Sequence, residues 1–239
     1  MNSPGKRIIK SVPSIFTFAN MVGGFLAIVY ASQGDYSLAG WILVAAAAFD
    51  AVDGIAARAL KATSTFGVEL DSLADVVSFG LAPAYIIYAS HLNQTVEFAF
   101  VAPILYLVAA GYRLARFNAE LIGYDKEFFY GLPAPLAAMT VTFFIIAYPD
   151  KNDMPQQIRA FIIPGLFIIS FLMVSRIRFE TLPKFSIYGI KEKPWHFVFL
   201  ALSLLVIFLF GERSLIYIFV FVILLSIFKY VMNLLSGKV

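Results

Sequence analysis

The chain of 239 residues has no cysteine and only two histidines. Neither a disulfide nor a thiolate metal site is available to it, and zinc, which prefers cysteine and histidine ligands, is an unsuitable metal. Charged residues are also scarce, at 14%, against about 25% in soluble globular domains. The net charge of +3 is too small to indicate nucleic-acid binding. These shortages argue against a soluble protein and against a nucleic-acid partner.

Apolar residues, in contrast, make up 61% of the chain. They gather in runs of roughly 17–25 residues, long enough for a helix to cross a hydrocarbon core of about 30 Å. No cleavage-like end follows the first run, so we expect it to be a retained helix. The sequence predicts an all-α fold, a polytopic helical bundle integral to the membrane. About eight spans are predicted, at residues 11–32, 37–53, 70–90, 96–118, 133–148, 158–174, 195–210 and 214–235.

The basic residues sort by loop in a way that predicts the orientation of the chain. Cytoplasmic loops are enriched in Lys and Arg. With eight spans and the amino terminus inside, 15 of the 18 basic residues fall on the inner side. The outer side then holds only Lys151, Arg159 and Arg213. We therefore expect a multi-pass protein with both termini in the cytoplasm.

Four aspartates stand inside two neighbouring apolar segments, where an ionised carboxylate without a partner is costly. Asp50 and Asp53 are three residues apart, and Asp71 and Asp75 are four apart, so each pair shares one helix face. The two helices are antiparallel and joined by a short loop, and each pair reaches about 12 Å from that loop. We expect the four carboxylates to meet at one depth, near the cytoplasmic edge.

Such a cluster of oxygen ligands suits the hard divalent cations Mg²⁺, Mn²⁺ or Ca²⁺. Four carboxylates can hold two metals, or hold metals and leave one acid for proton transfer. Gly54, Ala57 and Gly67 have no side chain or only a methyl group, which allows either close approach of a substrate to the backbone or close helix packing. Arg58 either contacts a phosphate or extends to the headgroup region.

A second polar group, with Arg113, Arg116 and Asn118, ends the fourth predicted span on the same side. The two arginines either anchor the helix by the positive-inside rule or, for the deeper Arg113, face a partner or substrate. An ion-coupled transporter is the alternative from a different functional class, since intramembrane carboxylates bind ions. The position of the cluster near one edge and the lack of an internal repeat disfavour that alternative.

The motif D-x2-D-G-x2-A-R-x8-G-x3-D-x3-D, present in full from Asp50 to Asp75, resembles that of the CDP-alcohol phosphotransferase family. Residues 12–20, 71–83, 113–118 and 131–135 are similar to its phosphatidylserine synthase branch. The resemblance covers roughly residues 10–140, and the last three predicted spans match only in being hydrophobic.

The resemblance implies roles for the residues singled out above. A site for two divalent cations, Mg²⁺ or Mn²⁺, with Ca²⁺ possible in their place, would be formed by Asp50, Asp53, Asp71 and Asp75, and Asp75 would also be the general base. The CDP part of the donor would contact Gly54, Ala57, Arg58 and Gly67. Acceptor or phosphate contacts would come from Ser78, Arg113, Arg116 and Asn118.

The activity implied is transfer of a phosphatidyl group from CDP-diacylglycerol to L-serine, at the cytoplasmic side of the membrane. Glycerol 3-phosphate or inositol phosphate as acceptor, and an archaeal ether lipid as donor, remain open. The family core has six transmembrane helices and is often dimeric, so a homodimer is expected. We expect residues 1–239 to form a single catalytic domain, with the core at about 10–175 and extra spans at about 195–235.

Overall fold

The computed structural model describes residues 4–60, 64–93, 97–120, 128–150, 152, 154–180 and 194–236. Most of these residues are helical, and two short strands accompany the helices. In chain order the elements are α1 Pro4–Ser32, α2 Tyr36–Ala59, α3 Thr65–Leu92, α4 Val101–Glu120, β1 Phe128–Tyr130, α5 Ala134–Ala147, α6 Gln156–Ala160, α7 Ile162–Val174, β2 Arg178–Glu180, α8 Pro194–Phe210 and α9 Ser214–Leu235.

A helix lies at each of the eight predicted positions, and the span predicted at 158–174 is divided into α6 and α7. Within the described residues, four helical segments are long and apolar enough to cross a membrane: Ser14–Ser32, Tyr36–Ala57, Thr65–Leu92 and Ser214–Leu235. Large apolar side chains such as Phe25, Phe171 and Phe228 are exposed on the outside of the bundle. The protein is an integral membrane protein, and the number of eight spans stays a prediction.

The strands β1 and β2 form a small antiparallel sheet that the all-α prediction did not include. Phe129 pairs with Phe179, and the sheet joins the segment before α5 to the segment after α7. Strands of three residues are too short to show an alternating apolar pattern in the sequence. The helical class is correct for the bulk of the described chain, with this one local addition.

Close packing around α1 brings α2 and α3 together. Gly23 lies against Ala46 of α2, and Gly24 lies against Ser78 of α3. A Cβ atom at Gly24 would come within 2.7 Å of Ser78 Oγ and 2.9 Å of Ser78 Cα. Apolar lipid gives no hydrophobic drive for helix association, so membrane helices associate largely through van der Waals packing. Small residues favour that packing because they let the backbones approach closely. The contact sets the distance at which α1 can reach the aspartates of α2 and α3.

Two turns of α3 are widened to the i→i+5 hydrogen-bond pattern, at Val76–Leu81 and Tyr88–Leu92. Pro83 follows the first of these and has no N–H to donate to the carbonyl of Phe79, four residues earlier. The hydroxyl of Tyr106 in α4, which is fully buried, donates to Phe79 O at 2.9 Å. This hydrogen bond supplies a buried partner for a carbonyl that receives no hydrogen bond from Pro83.

Replacing Tyr106 with Phe should therefore destabilise the bundle, since Phe79 O would lose a partner in a buried position. We expect a loss of about 1–3 kcal/mol, the cost of an unsatisfied buried polar group. Reversible unfolding in detergent measures it. Tyr112→Phe, on the same helix but with an exposed ring, is the control and should leave stability unchanged. Equal stability of the two variants would contradict this role of Tyr106.

Candidate active site

The acid cluster, defined as Asp50, Asp53, Asp71 and Asp75, lies where α2 and α3 face α1. One carboxylate oxygen from each of Asp50, Asp53 and Asp71 lies within 4.8 Å of the other two. The Asp75 carboxyl interacts with that of Asp50. The structure thus brings together the two acid pairs that the spacing of the sequence places on facing helices.

Two polar residues of α1 hold this cluster from the third side. Thr17 Oγ1 donates to Asp53 Oδ2 at 2.9 Å, and Asn20 Nδ2 donates to Asp75 Oδ1 at 3.2 Å. Ser78 Oγ in turn donates to the backbone carbonyl of Asn20 at 2.8 Å. Neither Thr17 nor Asn20 was predicted to have a role in the site. Two polar residues three apart in the otherwise apolar stretch 15–31 were the signal available for them.

The chemistry of the cluster fits a divalent cation. Its ligand atoms are all carboxylate oxygens, which are the donors that hard cations prefer. Asp71 Oδ1 is buried and has no hydrogen-bond partner within the described part of the chain. A buried carboxylate oxygen without a partner is costly, and a bound cation would satisfy it. The residues present are therefore suited to hold a metal of the Mg²⁺ or Mn²⁺ type.

The small residues predicted to contact the nucleotide flank the cluster. Gly54 and Ala57 follow Asp53 on α2 and are half-buried. Gly67 lies in the first turn of α3, where its N–H donates to Ser64 Oγ at 3.0 Å and so completes the cap of that helix. The Arg58 side chain lies outside the part of the structure that is described. Nucleotide contacts at these four positions stay predictions.

On α4, Arg113 is the predicted residue whose charge acts on an acid of the cluster. Its side chain is only 6% exposed and interacts electrostatically with Asp75. The guanidinium carbon lies 5.8 Å from the centre of the Phe117 ring, and Nε has no hydrogen-bond partner within the described residues. One turn further on, Asn118 Nδ2 donates to Ser72 Oγ of α3 at 2.7 Å. Arg113 thus places a buried positive charge within electrostatic range of Asp75, while Asn118 joins α4 to α3.

Arg116, in contrast, has a structural role. Its guanidinium donates to backbone carbonyls at the end of α7 and in β1, which is how a basic side chain satisfies the open carbonyls of a helix end. Beside it, Gly131 has φ +78°, and a Cβ atom there would overlap Met173 O. An acceptor or phosphate contact from Arg116 stays a prediction. The accepting oxygens, with their distances, are those of Tyr130 (2.8 Å), Val174 (2.8 Å), Ser175 (3.2 Å) and Met173 (3.4 Å).

Comparison with known proteins connects this arrangement to enzymes. The chain is 33% identical over 172 residues to a CDP-diacylglycerol–serine O-phosphatidyltransferase of Helicobacter pylori, covering 72% of this chain and 73% of the relative. It is 42% identical over 138 residues to an enzyme of the same name from Mycobacterium leprae, covering 56% and 46%. It is 33% identical over 171 residues to an archaetidylserine synthase of Methanothermobacter thermautotrophicus, covering 71% and 69%.

The region that carries the acid cluster also matches a protein family. The family described as CDP-alcohol phosphatidyltransferase matches residues 10–175, which include helices α1 to α7 almost completely and all four aspartates. Together with the relatives above, this match covers more than half of the chain. The chain therefore belongs to the CDP-alcohol phosphatidyltransferase family.

Proposed function

We propose that this protein transfers a phosphatidyl group from CDP-diacylglycerol to the hydroxyl of L-serine, with phosphatidylserine and CMP as products. The observation that carries the proposal is a buried acid cluster inside a region that matches the family over residues 10–175. Serine as acceptor is supported by relatives from bacteria and archaea whose names specify it. No comparable observation favours glycerol 3-phosphate or inositol phosphate.

The acid cluster is proposed to hold two divalent cations, Mg²⁺ or Mn²⁺, with Asp50, Asp53, Asp71 and Asp75 as ligands. Support comes from the convergence of carboxylate oxygens of Asp50, Asp53 and Asp71 and from the unpartnered Asp71 Oδ1. When bound there, the cations would neutralise the pyrophosphate of the donor and polarise its phosphoryl oxygens. The position of the cations would be fixed by the carboxylates, because Thr17 and Asn20 hold two of the carboxylates in one orientation.

Asp75 is proposed as the general base. Asn20 Nδ2 donates to its Oδ1 and so orients the carboxylate, which would accept the proton of the serine hydroxyl. The serine oxygen then forms a bond to the phosphorus that carries diacylglycerol. The bond from that phosphorus to the CMP oxygen breaks, and CMP leaves with the electron pair. Asp75 is 8% exposed, so little water competes with serine for this position.

Further parts of the proposal concern the donor and the assembly. Gly54, Ala57, Arg58 and Gly67 would line the CDP moiety, while the acyl chains stay in the bilayer. Both termini and the active site would face the cytoplasm, on the argument from the distribution of basic residues. The protein would act as a homodimer of single-domain chains, each with two helices beyond the six-helix core.

One assay tests the proposal. Purified protein is given CDP-diacylglycerol and Mg²⁺ or Mn²⁺ with L-serine, glycerol 3-phosphate or inositol phosphate, and CMP and the lipid product are measured. We expect serine-dependent CMP release that a chelator abolishes. An ether-linked CDP donor, run in parallel, shows whether the substrate is of the archaeal type. CMP release with glycerol 3-phosphate alone would overturn the serine assignment, and solute flux in liposomes without CMP release would indicate a carrier.

A further inference from the structure

Ser78 is enclosed at the contact between α1 and α3, and its hydroxyl bonds to the protein itself. The residue is completely buried, and its Oγ donates to the backbone carbonyl of Asn20 at 2.8 Å. A hydroxyl has one proton to donate, and in Ser78 that proton is used for this bond. Gly24, one turn after Asn20, lies so close that a Cβ atom there would come within 2.7 Å of Ser78 Oγ. Ser78 therefore offers a substrate no exposed surface in this structure.

Asn20 is held by α3 at two points. Its backbone carbonyl accepts from Ser78 Oγ, and its side-chain Nδ2 donates to Asp75 Oδ1 at 3.2 Å. Because Asp75 and Ser78 are three residues apart on α3, the two hydrogen bonds close a ring that includes the turn between them. Asn20 is also completely buried, so water does not compete for either bond. A shift of α1 at Ser78 would therefore also move the amide that orients Asp75.

The first widened turn of α3 directly follows Asp75 and includes Ser78. Such turns are rare in helices and are frequent at functional sites. The next residue of the turn, Phe79, accepts at its carbonyl from the hydroxyl of Tyr106 on α4, at 2.9 Å. The turn is thus joined by hydrogen bonds to α1 through Ser78 and to α4 through Phe79. These two connections hold Ser78 in place against Asn20.

We propose that Ser78 is a positioning residue for the reaction. Through Asn20 it holds the carboxylate of Asp75 in the orientation that accepts the proton of the acceptor hydroxyl. The inference rests on the proposed function, in which Asp75 is the general base, and adds to it a residue that acts without contacting the substrate. The direct acceptor or phosphate contact that the family resemblance implies for Ser78 predicts different kinetics, so experiment distinguishes the two roles.

The first test separates turnover from binding. For the wild type and Ser78→Ala, kcat and KM for L-serine are measured at saturating CDP-diacylglycerol with Mg²⁺. We expect kcat to fall by about threefold to tenfold, the effect of one lost hydrogen bond, and KM to stay within about twofold of the wild-type value. A direct contact with the acceptor would instead raise KM with little change in kcat.

The second test asks whether Ser78 acts through Asn20. Asn20→Ala removes the amide that orients Asp75, so adding Ser78→Ala to that variant should have no further effect on kcat. We therefore expect the double variant to have the kcat of Asn20→Ala alone. Two residues with independent effects would multiply their reductions in kcat, and a general structural role of Ser78 would give this second result.

Ser170→Ala is the matched control. Ser170 of α7 is also a buried serine, but its hydroxyl donates to Leu166 O of the same helix at 2.7 Å. Because this bond joins no two helices, the control should keep the kcat and KM of the wild type. The unfolding temperature of every variant is recorded alongside.

Substitute variants keep both tests available if an alanine variant does not fold. Ser78→Cys has a similar shape and a weaker hydrogen-bond donor, so its kcat should fall in the same direction as that of Ser78→Ala. Asn20→Leu keeps the shape of the side chain and also removes the amide, so it can replace Asn20→Ala in the second test.

The outcomes separate this role from the proposed function. A wild-type protein without serine-dependent CMP release overturns the proposed function. With an active wild type, the positioning role alone is overturned if the Ser78 variant raises KM without lowering kcat, or if its effect on kcat is the same with and without Asn20. An unchanged kcat in a folded Ser78 variant has the same consequence.

Discussion

Asp75→Asn is expected to lower serine-dependent CMP release by about 10²–10⁴-fold, which is the usual contribution of a general base. The change keeps the shape of the side chain, and the new amide oxygen can still accept from Asn20 Nδ2. The change removes the ability to take the proton of the acceptor hydroxyl and, with it, one charged ligand of the proposed cation site. Turnover is measured in detergent micelles at saturating CDP-diacylglycerol, with the unfolding temperature recorded alongside to establish that the variant folds.

Glu69→Gln is the control for this experiment. Glu69 lies on the same helix as Asp75 but is exposed and outside the acid cluster. The control removes one negative charge from α3 and should keep nearly full activity. If Asp75→Asn retained comparable turnover, Asp75 could not be the base, and the proton would have to go to another member of the cluster.

Asp71→Asn should weaken binding of Mn²⁺ by about 100-fold or more. Residues that only orient metal ligands already contribute about 10–100-fold to affinity, so loss of a direct ligand should cost at least as much. Asp71 is the sharpest choice, because its buried Oδ1 has no partner in the described part of the protein and a neutral amide there cannot replace a charged ligand. Electron paramagnetic resonance of free Mn²⁺ measures the uptake directly and does not depend on catalysis.

Asp35→Asn controls for the loss of an acid. Asp35 lies in the turn between α1 and α2 and caps α2 by accepting from Leu38 N at 3.1 Å, which asparagine can do equally well. Its Mn²⁺ uptake should equal that of the wild type. Equal uptake by Asp71→Asn would remove Asp71 from the ligand set and with it the support that its unpartnered oxygen gives to a metal site.

The acid cluster is the part of the site that the sequence predicted most directly, and the reason is local. Spacings of three and four residues fix a helix face, and one short loop places α2 beside α3. The contributions of Thr17 and Asn20 were beyond such reasoning. They depend on which face of α1 meets the other two helices, and the glycines that allow this approach gave no sign of their partners.

The contacts of Arg116 also could not be predicted from its position in the sequence. The family resemblance implied an acceptor or phosphate contact for Arg116, and nothing in the sequence indicated that its hydrogen bonds reach carbonyls up to 59 residues away. Those partners lie at the end of α7 and in a strand too short to be recognised from its residues. Periodicity describes one element at a time, and contacts between distant elements require the fold.

The small sheet of β1 and β2 has a practical consequence for anyone who shortens this protein. The family match ends at residue 175, but β2 begins at Arg178, and Phe219 of α9 lies 4.8 Å, between ring centres, from Phe143 of α5. A chain that ended at the family boundary would lack β2, which is the only partner strand of β1 within the described residues. It would also lack α9, so the face of α5 around Phe143 would lose this packing contact. The part of the chain that packs together therefore extends beyond the end of the family match.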